Sequence, residues 1–182
     1  MSIFKFEHIQ VSSILDFIFY SICVLFLALS LFINGSRHQL VGNLLLILVG
    51  FVSWTAIEYV LHRFILHGLQ PFKNWHREHH QHPGALICLP TLLSAALVLM
   101  LVFLPVWLTL GLLPAYALTL GVLTGYLAYT IIHHAIHHWH ADSHWLRKRK
   151  RWHNLHHHVD EAGHFGVTSS FWDYVFVKVL HL

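Results

Sequence analysis

The chain has 182 residues, a length sufficient for one domain. Hydrophobic residues make up 56% of it and charged residues only 10%, whereas ordinary soluble domains carry roughly 25% charged residues. A soluble fold of this length could not bury so much apolar surface, so the composition predicts an integral membrane protein. The formal charge of +3 is modest, and the densest basic run, residues 147–151, suits anionic lipid better than nucleic acid.

Four apolar segments are long enough to cross a bilayer, which requires about 20 mainly apolar residues each. They cover residues 13–33, 40–61, 86–110 and 115–132. Tight turns are predicted at 34–36 and at 111–114, and Pro105 predicts a kink or an early end in the third helix. We therefore expect an all-α membrane protein with four transmembrane helices, forming a single domain over residues 1–182.

Basic residues fall almost entirely on one side of this four-helix arrangement. Ten share that side: Lys5, Arg63, Lys73, Arg77, Arg147, Lys148, Arg149, Lys150, Arg151 and Lys178. Only Arg37 falls on the other side. Because basic residues concentrate in cytoplasmic loops, this bias predicts a multi-pass protein with both termini in the cytosol. The histidine clusters described next share the basic side.

Histidine is the most unusual feature of the composition, with 20 histidines against eight carboxylates. Ten of them form four clusters, in the stretches LHRFILH, WHREHH, IIHHAIHH and RWHNLHHH. These ten are His62, His67, His76, His79, His80, His133, His137, His153, His156 and His157. Residues three and four apart share a helical face, so each HxxHH motif could direct three imidazoles at one point. His62 and His67 do not share an ideal helical face, so we expect the chain to bend, or a helix to end, between them.

Ten candidate ligands indicate two metal ions, since one ion rarely accepts more than about six protein ligands. Neutral imidazole suits iron, zinc, copper and nickel, and it leaves each ion with its full positive charge. Carboxylate-bridged di-iron bundles match poorly, because they need Glu-x-x-His on two helices and only Glu161 and His164 show that spacing. We therefore predict a dimetal site held by histidines.

Four further residues are candidates for a supporting role behind the ligands. Glu58 and Glu78 could orient an imidazole, or could equally make simple surface or helix-end contacts. His138 and His164 could support a ligand or replace one. No substrate-binding residue is assigned from the sequence.

The histidine clusters in this order, together with EYVLHRF and the tail HFGVTSSFWDYVF, resemble the fatty acid hydroxylase/sterol desaturase superfamily. The resemblance covers residues 58–177 and is strongest to the fatty acid 2-hydroxylases that act on sphingolipid acyl chains. It implies a cytosolic dimetal cap in which the ten histidines hold two iron ions, and O2-dependent hydroxylation of a lipid acyl chain. Fungal and animal 2-hydroxylases carry a fused cytochrome b5-like domain, for which this chain is too short, so a separate electron-donor protein is expected.

Two alternatives stay open at this point. A hydroxylase or desaturase of the same superfamily that acts on another lipid, a sterol or a carotenoid would use the same metal site. A non-catalytic metal-binding or transport protein is the alternative of another class. A transporter would place polar ligands near the bilayer midplane, whereas the midplanes of these four segments are nearly free of ionisable residues. Zinc in a purified sample would not decide between them, since affinity rises from iron towards zinc.

Overall fold

The computed structural model describes residues 3–83, 91–140, 143–158 and 163–180, with side chains from residue 14 to residue 176 of these ranges. The described residues form helices, turns and irregular segments, without a β-strand. The helices are α1 (Ile3–Asn34), α2 (Leu40–Val60), α3 (Phe72–Gln81), α4 (Thr91–Val98), α5 (Leu104–Leu110), α6 (Leu112–His138), α7 (His144–His158) and α8 (Phe171–Leu180). A 3-10 turn, Arg37–Gln39, precedes α2, and π-helical segments follow α2 (Leu61–Leu66) and α4 (Leu99–Phe103). The predicted all-α class is confirmed.

Four helical stretches are long and apolar enough to cross a membrane: Ile14–Asn34, Arg37–Leu66, Thr91–Leu110 and Leu112–His138. They coincide with the four predicted segments, although the predicted start of the third, at residue 86, lies outside the described residues. Large apolar side chains on these helices face outwards, as shown by Leu92 at 86% and Phe32 at 85% exposure. An apolar surface of this size is stable only in contact with lipid or another protein. The prediction of a membrane protein with four spanning helices is therefore confirmed.

The chain divides into two compact units. The first, called the helical unit, combines Met1–Trp54 with Cys88–Leu127, and the second, called the histidine unit, combines Thr55–Ile87 with Ala128–Leu182. A core of Tyr20, Leu27, Leu120 and Leu123 holds the helical unit together. The assignment of residues 1–182 to a single domain stays a prediction.

Glycines allow α2 and α6 to approach each other closely in the helical unit. A Cβ atom at Gly50 would overlap the carbonyl oxygen of Leu118, and one at Gly121 would overlap that of Ile47. Small residues let helix backbones come together in membranes, where close van der Waals packing and interhelical hydrogen bonds replace the hydrophobic effect. A partly buried hydrogen bond joins α1 to α6, since the hydroxyl of Tyr126 donates to Asp16 Oδ2 over 2.6 Å.

Pro105 does not end the third spanning helix. It stands in the first turn of α5, immediately after the π-helical segment Leu99–Phe103. Proline lacks an N–H and its ring clashes with the carbonyl four residues earlier, so the widened turn accommodates it where a regular α-helix would kink. The helix then continues to Leu110, and Gly111, at φ 97°, makes the turn into α6 with a backbone conformation that favours glycine.

A small apolar core positions the elements of the histidine unit. Ala135 and Ile136 of α6, Leu146 of α7 and Val167 of the loop before α8 are all buried together. This packing fixes the inner face of α7 against the C-terminal end of α6. Histidines of both helices therefore point into the same interior.

Candidate metal centre

The structure gathers nine of the ten predicted histidines into two groups in the histidine unit. The first histidine group contains His62, His67, His76, His80 and His156, and the second contains His79, His133, His137 and His153. Within each group, one ring nitrogen per residue lies within 4.8 Å of all the others.

His157 belongs to neither group but lies against both. Its ring stacks on His80 at 4.2 Å and approaches His153 at 4.5 Å between centroids. It is 6% exposed, and neither of its ring nitrogens makes a hydrogen bond. At least one nitrogen of this buried imidazole is therefore available as a ligand.

A π-helical turn brings His62 and His67 to the same group. The backbone N–H of His67 donates to the carbonyl of His62 over 3.2 Å, which is the i→i+5 bond of a π-helix. The wider turn places residues five apart nearly above one another, and the two rings lie 5.3 Å apart. The α-helix ends at Val60, before both histidines, so the expected bend between them is replaced by this turn.

Each HxxHH motif contributes histidines to both groups. The prediction that all three imidazoles of a motif point at one place is therefore wrong. In α3, His76 and His80 face the first group and His79 faces the second. Successive residues of an α-helix are about 100° apart around the axis, so residues 79 and 80 point in clearly different directions. In α7, His156 and His153 divide in the same way between the first and second groups.

The spacing between ring nitrogens fits metal coordination. In the first group, Nε2 of His76 lies 3.0 Å from that of His62 and 3.1 Å from that of His80. In the second group, Nε2 of His137 lies 3.2 Å from that of His133 and 3.0 Å from that of His153. Two imidazole nitrogens bound at right angles about 2.1 Å from one ion would be roughly 3.0 Å apart. Both groups are thus shaped to hold an ion.

Two backbone carbonyls fix the tautomers of first-group histidines. His62 Nδ1 lies 2.6 Å from the carbonyl of Phe165, and His156 Nδ1 lies 2.7 Å from that of Gly163. A carbonyl can only accept, so each Nδ1 carries the proton and donates it. The lone pair is then on Nε2 in both rings, which directs it into the group.

Burial keeps these imidazoles neutral. It lowers the pKa of His67 to about 4 and that of His156 to about 3. Desolvation is the main cause, since it penalises the charged ring, and the neighbouring imidazoles add to it. The pKa values of His76 and His153 are lowered for the same reasons. Metal binding requires unprotonated imidazole, so the site is prepared for it at neutral pH.

Two buried carboxyl groups hold the loop of residues 163–168 that supplies these carbonyls. Glu58 accepts hydrogen bonds from the N–H of Val167 at 2.6 Å and of Thr168 at 3.0 Å, and from the Thr168 hydroxyl. Asp173 accepts from the N–H of Phe165 at 2.8 Å and of Gly166 at 3.0 Å. Glu58 thus binds the loop, and carbonyl groups of the loop in turn bind the imidazoles.

Asp173 was missed by the sequence analysis, although it lies within the recognised FWD tail. It is 3% exposed, and burial raises the pKa of its carboxyl group. A lone aspartate far in sequence from the first two histidine clusters gives no sign that it holds the loop beneath His62. Only the folded loop shows this connection.

The remaining three candidates lie at the edge of the site. Glu78 is 3.8 Å from His82 Nδ1, the helix-end contact considered for it. The ring of His138 stacks on His134 at 4.5 Å and lies 6.4 Å from His137. The ring of His164 packs on Trp152 at 4.4 Å.

Paired groups of histidines that could hold metal, in a chain with four helices able to span a membrane, define a histidine-rich membrane protein. A family model described as fatty acid hydroxylase matches residues 47–177, so the chain belongs to the fatty acid hydroxylase family.

Relatives from plants and fungi support this membership. Dihydroceramide fatty acyl 2-hydroxylase FAH2 of Arabidopsis thaliana is 35% identical over 72% of this chain and 59% of its own length. Ceramide very long chain fatty acid hydroxylase SCS7 of Saccharomyces cerevisiae is 37% identical over 70% of this chain and 36% of its own. The chain therefore matches less than two thirds of each relative.

A solved structure has the same fold. It is described as full-length scs7p with only the hydroxylase domain visible, and it is 31% identical to this chain. The superposition has a TM-score of 0.73 and covers 86% of this chain and 62% of the other.

Proposed function

We propose that the protein is a membrane oxygenase that hydroxylates an acyl chain of a lipid, using O2 and electrons from a separate donor protein. The observation that supports it is the pair of neutral histidine groups in a membrane-spanning member of the fatty acid hydroxylase family. The names of the relatives point to a fatty acid, free or as the fatty acyl group of a ceramide-type lipid, as the substrate class.

The ten predicted histidines would hold two iron ions, the five of the first group and the four of the second together with His157. When bound, the irons would supply the redox chemistry that activates O2 and oxidises the C–H bond. Zinc is an alternative occupant in purified samples, since affinity for a nitrogen site rises from iron towards zinc. The imidazoles stay neutral, so the site keeps the positive charge that oxidation of a strong bond requires.

The chain itself orients the ligands and shields one side of the first histidine group. The carbonyls of Phe165 and Gly163 hold His62 and His156 in the tautomer that points Nε2 inwards. The ring of Phe165 contacts His62, His67 and His156 at 5.3–5.5 Å between centroids and forms an apolar wall on the first group. Excluding water in this way strengthens electrostatic interactions and limits side reactions.

The reaction is tested with iron-loaded protein, a reducing system, a lipid extract and isotopically labelled O2. Label in a lipid alcohol is expected, and His79→Ala should abolish it, whereas His38→Ala, an exposed change in the 3-10 turn, should not. A new double bond without label in the lipid would assign the protein to the desaturases. Absence of O2 consumption at full iron occupancy and with competent electron delivery would favour the non-catalytic alternative.

A further inference from the structure

Arg63 stands in an aromatic cage in the histidine unit. Its Cζ atom lies 5.2 Å from the ring centroid of Phe64, 5.7 Å from Phe176, 5.8 Å from Phe165 and 5.9 Å from Tyr59. The residue is half-buried. The rings attract the cation and displace part of its hydration shell.

Most of the hydrogen-bonding capacity of Arg63 is unused. Nη1 donates to the hydroxyl of Tyr59 over 2.9 Å, and this is its one side-chain hydrogen bond among the described residues. A guanidinium group has five N–H donors and stays charged at any physiological pH. The buried carboxyl groups of Glu58 and Asp173 accept hydrogen bonds from the loop, and no ion pair joins either to Arg63 among the described residues. The remaining donors of Arg63 are therefore open to an acceptor from outside the described residues.

The cage suits an anionic oxygen ligand. Arginine presents its donors in a planar fork that matches the two oxygens of a carboxylate or a phosphate. An aromatic surround lowers the local dielectric constant, which strengthens the attraction between the guanidinium group and an anion. Arg63 lies three residues before Leu66, the end of the second spanning stretch, where the polar group of a lipid would be found.

Phe165 connects this cage to the first histidine group. The same ring that lies 5.8 Å from Arg63 Cζ lies 5.3 Å from the rings of His67 and His156. We propose that Arg63 and its aromatic cage bind the carboxylate or phosphate of a lipid, one phenylalanine ring away from the histidines. As a recognition site for the substrate this rests on the proposed function, and a lipid held there would place the carbons next to its polar group nearest the metal ligands.

Lipid retention measured by native mass spectrometry tests the proposal without turnover. The full chain in an uncharged detergent is offered a long-chain fatty acid, a phosphatidic acid or an uncharged ceramide. We expect stronger retention of the anionic lipids, and a loss of about tenfold or more in Arg63→Gln, because a charge-assisted hydrogen bond disappears. Arg63→Lys should fall between, since a lysine keeps the charge without the fork.

Two variants serve as controls. Arg37→Gln makes the same change at an exposed arginine of the 3-10 turn and should leave retention unchanged. Tyr59→Phe keeps the ring and frees one donor of Arg63, so it should retain anionic lipids to within about twofold. Unfolding temperature and metal content are recorded for every variant, to separate lipid binding from packing of the aromatic rings.

Each outcome decides between specific possibilities. Retention of the fatty acid alone assigns a carboxylate ligand, and retention of the phosphatidic acid alone assigns a phosphate. Full retention of both in Arg63→Gln, or an equal loss of ceramide, overturns the site. Anionic binding that depends on Arg63 without any hydroxylation by the parent protein would preserve the site and reject the proposed function.

Discussion

At the scale of single residues, Asp173 offers a sensitive test of how the first histidine group is positioned. Both of its oxygens accept backbone N–H bonds, so Asp173→Asn must turn an NH2 group towards either Phe165 or Gly166 whichever way the amide lies. We expect the loop to shift and metal affinity to fall by about tenfold, at the lower end of the roughly 10- to 100-fold effect of partners that support ligands. Metal titration of the purified protein measures it.

Glu58→Gln is the matched control for this change. The Thr168 hydroxyl can turn from donating to accepting, so glutamine can keep all three contacts that glutamate makes with the loop. Metal affinity should stay within about threefold of the parent value. Equal affinities in Asp173→Asn and the parent would show that the loop does not position His62.

The histidines also predict how the stability of the metal-free protein depends on pH. Burial lowers the pKa of His67 to about 4 and that of His156 to about 3, while the same rings in the unfolded chain titrate near 6.5. Between about pH 6.5 and pH 3 the unfolded chain binds more protons than the folded chain. The free energy of unfolding should therefore decrease as the pH is lowered through this range. Thermal unfolding of metal-free protein in detergent, from pH 7.5 down to 4.5, measures this trend, which a flat or rising stability would contradict.

At the scale of helices, Gly121 tests the close contact between α2 and α6. A Cβ atom there would overlap backbone atoms of α2, which cannot move aside as a flexible side chain can. We expect Gly121→Ala to destabilise the protein by about 1–3 kcal/mol, the usual cost of overpacking. Thermal unfolding in one detergent gives the comparison.

Gly42→Ala is the control, because nothing lies within 4 Å of the added methyl group. It stands in α2, the helix that packs against Gly121, and in a helix alanine is favoured over glycine by up to about 1 kcal/mol. The control should be neutral or stabilising. An equal effect at the two positions would mean that the close approach of the helices does not contribute to stability.

The helices also show which parts of the site could be predicted from the sequence. The apolar lengths predicted the four spanning stretches. The histidine motifs identified nine residues that do come together, seven of them in α3, α6 and α7 and two, His62 and His67, at the π-helical turn after α2. The π-helical turn at His62 was not predictable, because local propensity favours an α-helix and the turn depends on contacts made after folding. Which group each histidine joins, and the role of Asp173, depend likewise on contacts between residues distant in sequence.

At the scale of the whole molecule, the distribution of basic residues predicts that the metal site faces the cytosol. In a background without Cys23 and Cys88, a cysteine in place of Lys148 should react with a membrane-impermeant reagent only from the cytosolic side. A cysteine in place of Arg37, the one basic residue on the other side, should react only from the opposite side. Reversed labelling of the two positions would overturn the topology.

The division of each HxxHH motif between the two groups has a consequence for metal uptake. Because α3 and α7 each carry histidines of both groups, an ion bound in one group would order the helices that the other group needs. A second ion would then bind to ligands whose conformational entropy has already been lost, so we expect uptake to be positively cooperative. Protein given less metal than it can hold should separate into molecules with two ions and molecules with none, and a chelator that removes one ion should release its neighbour as well.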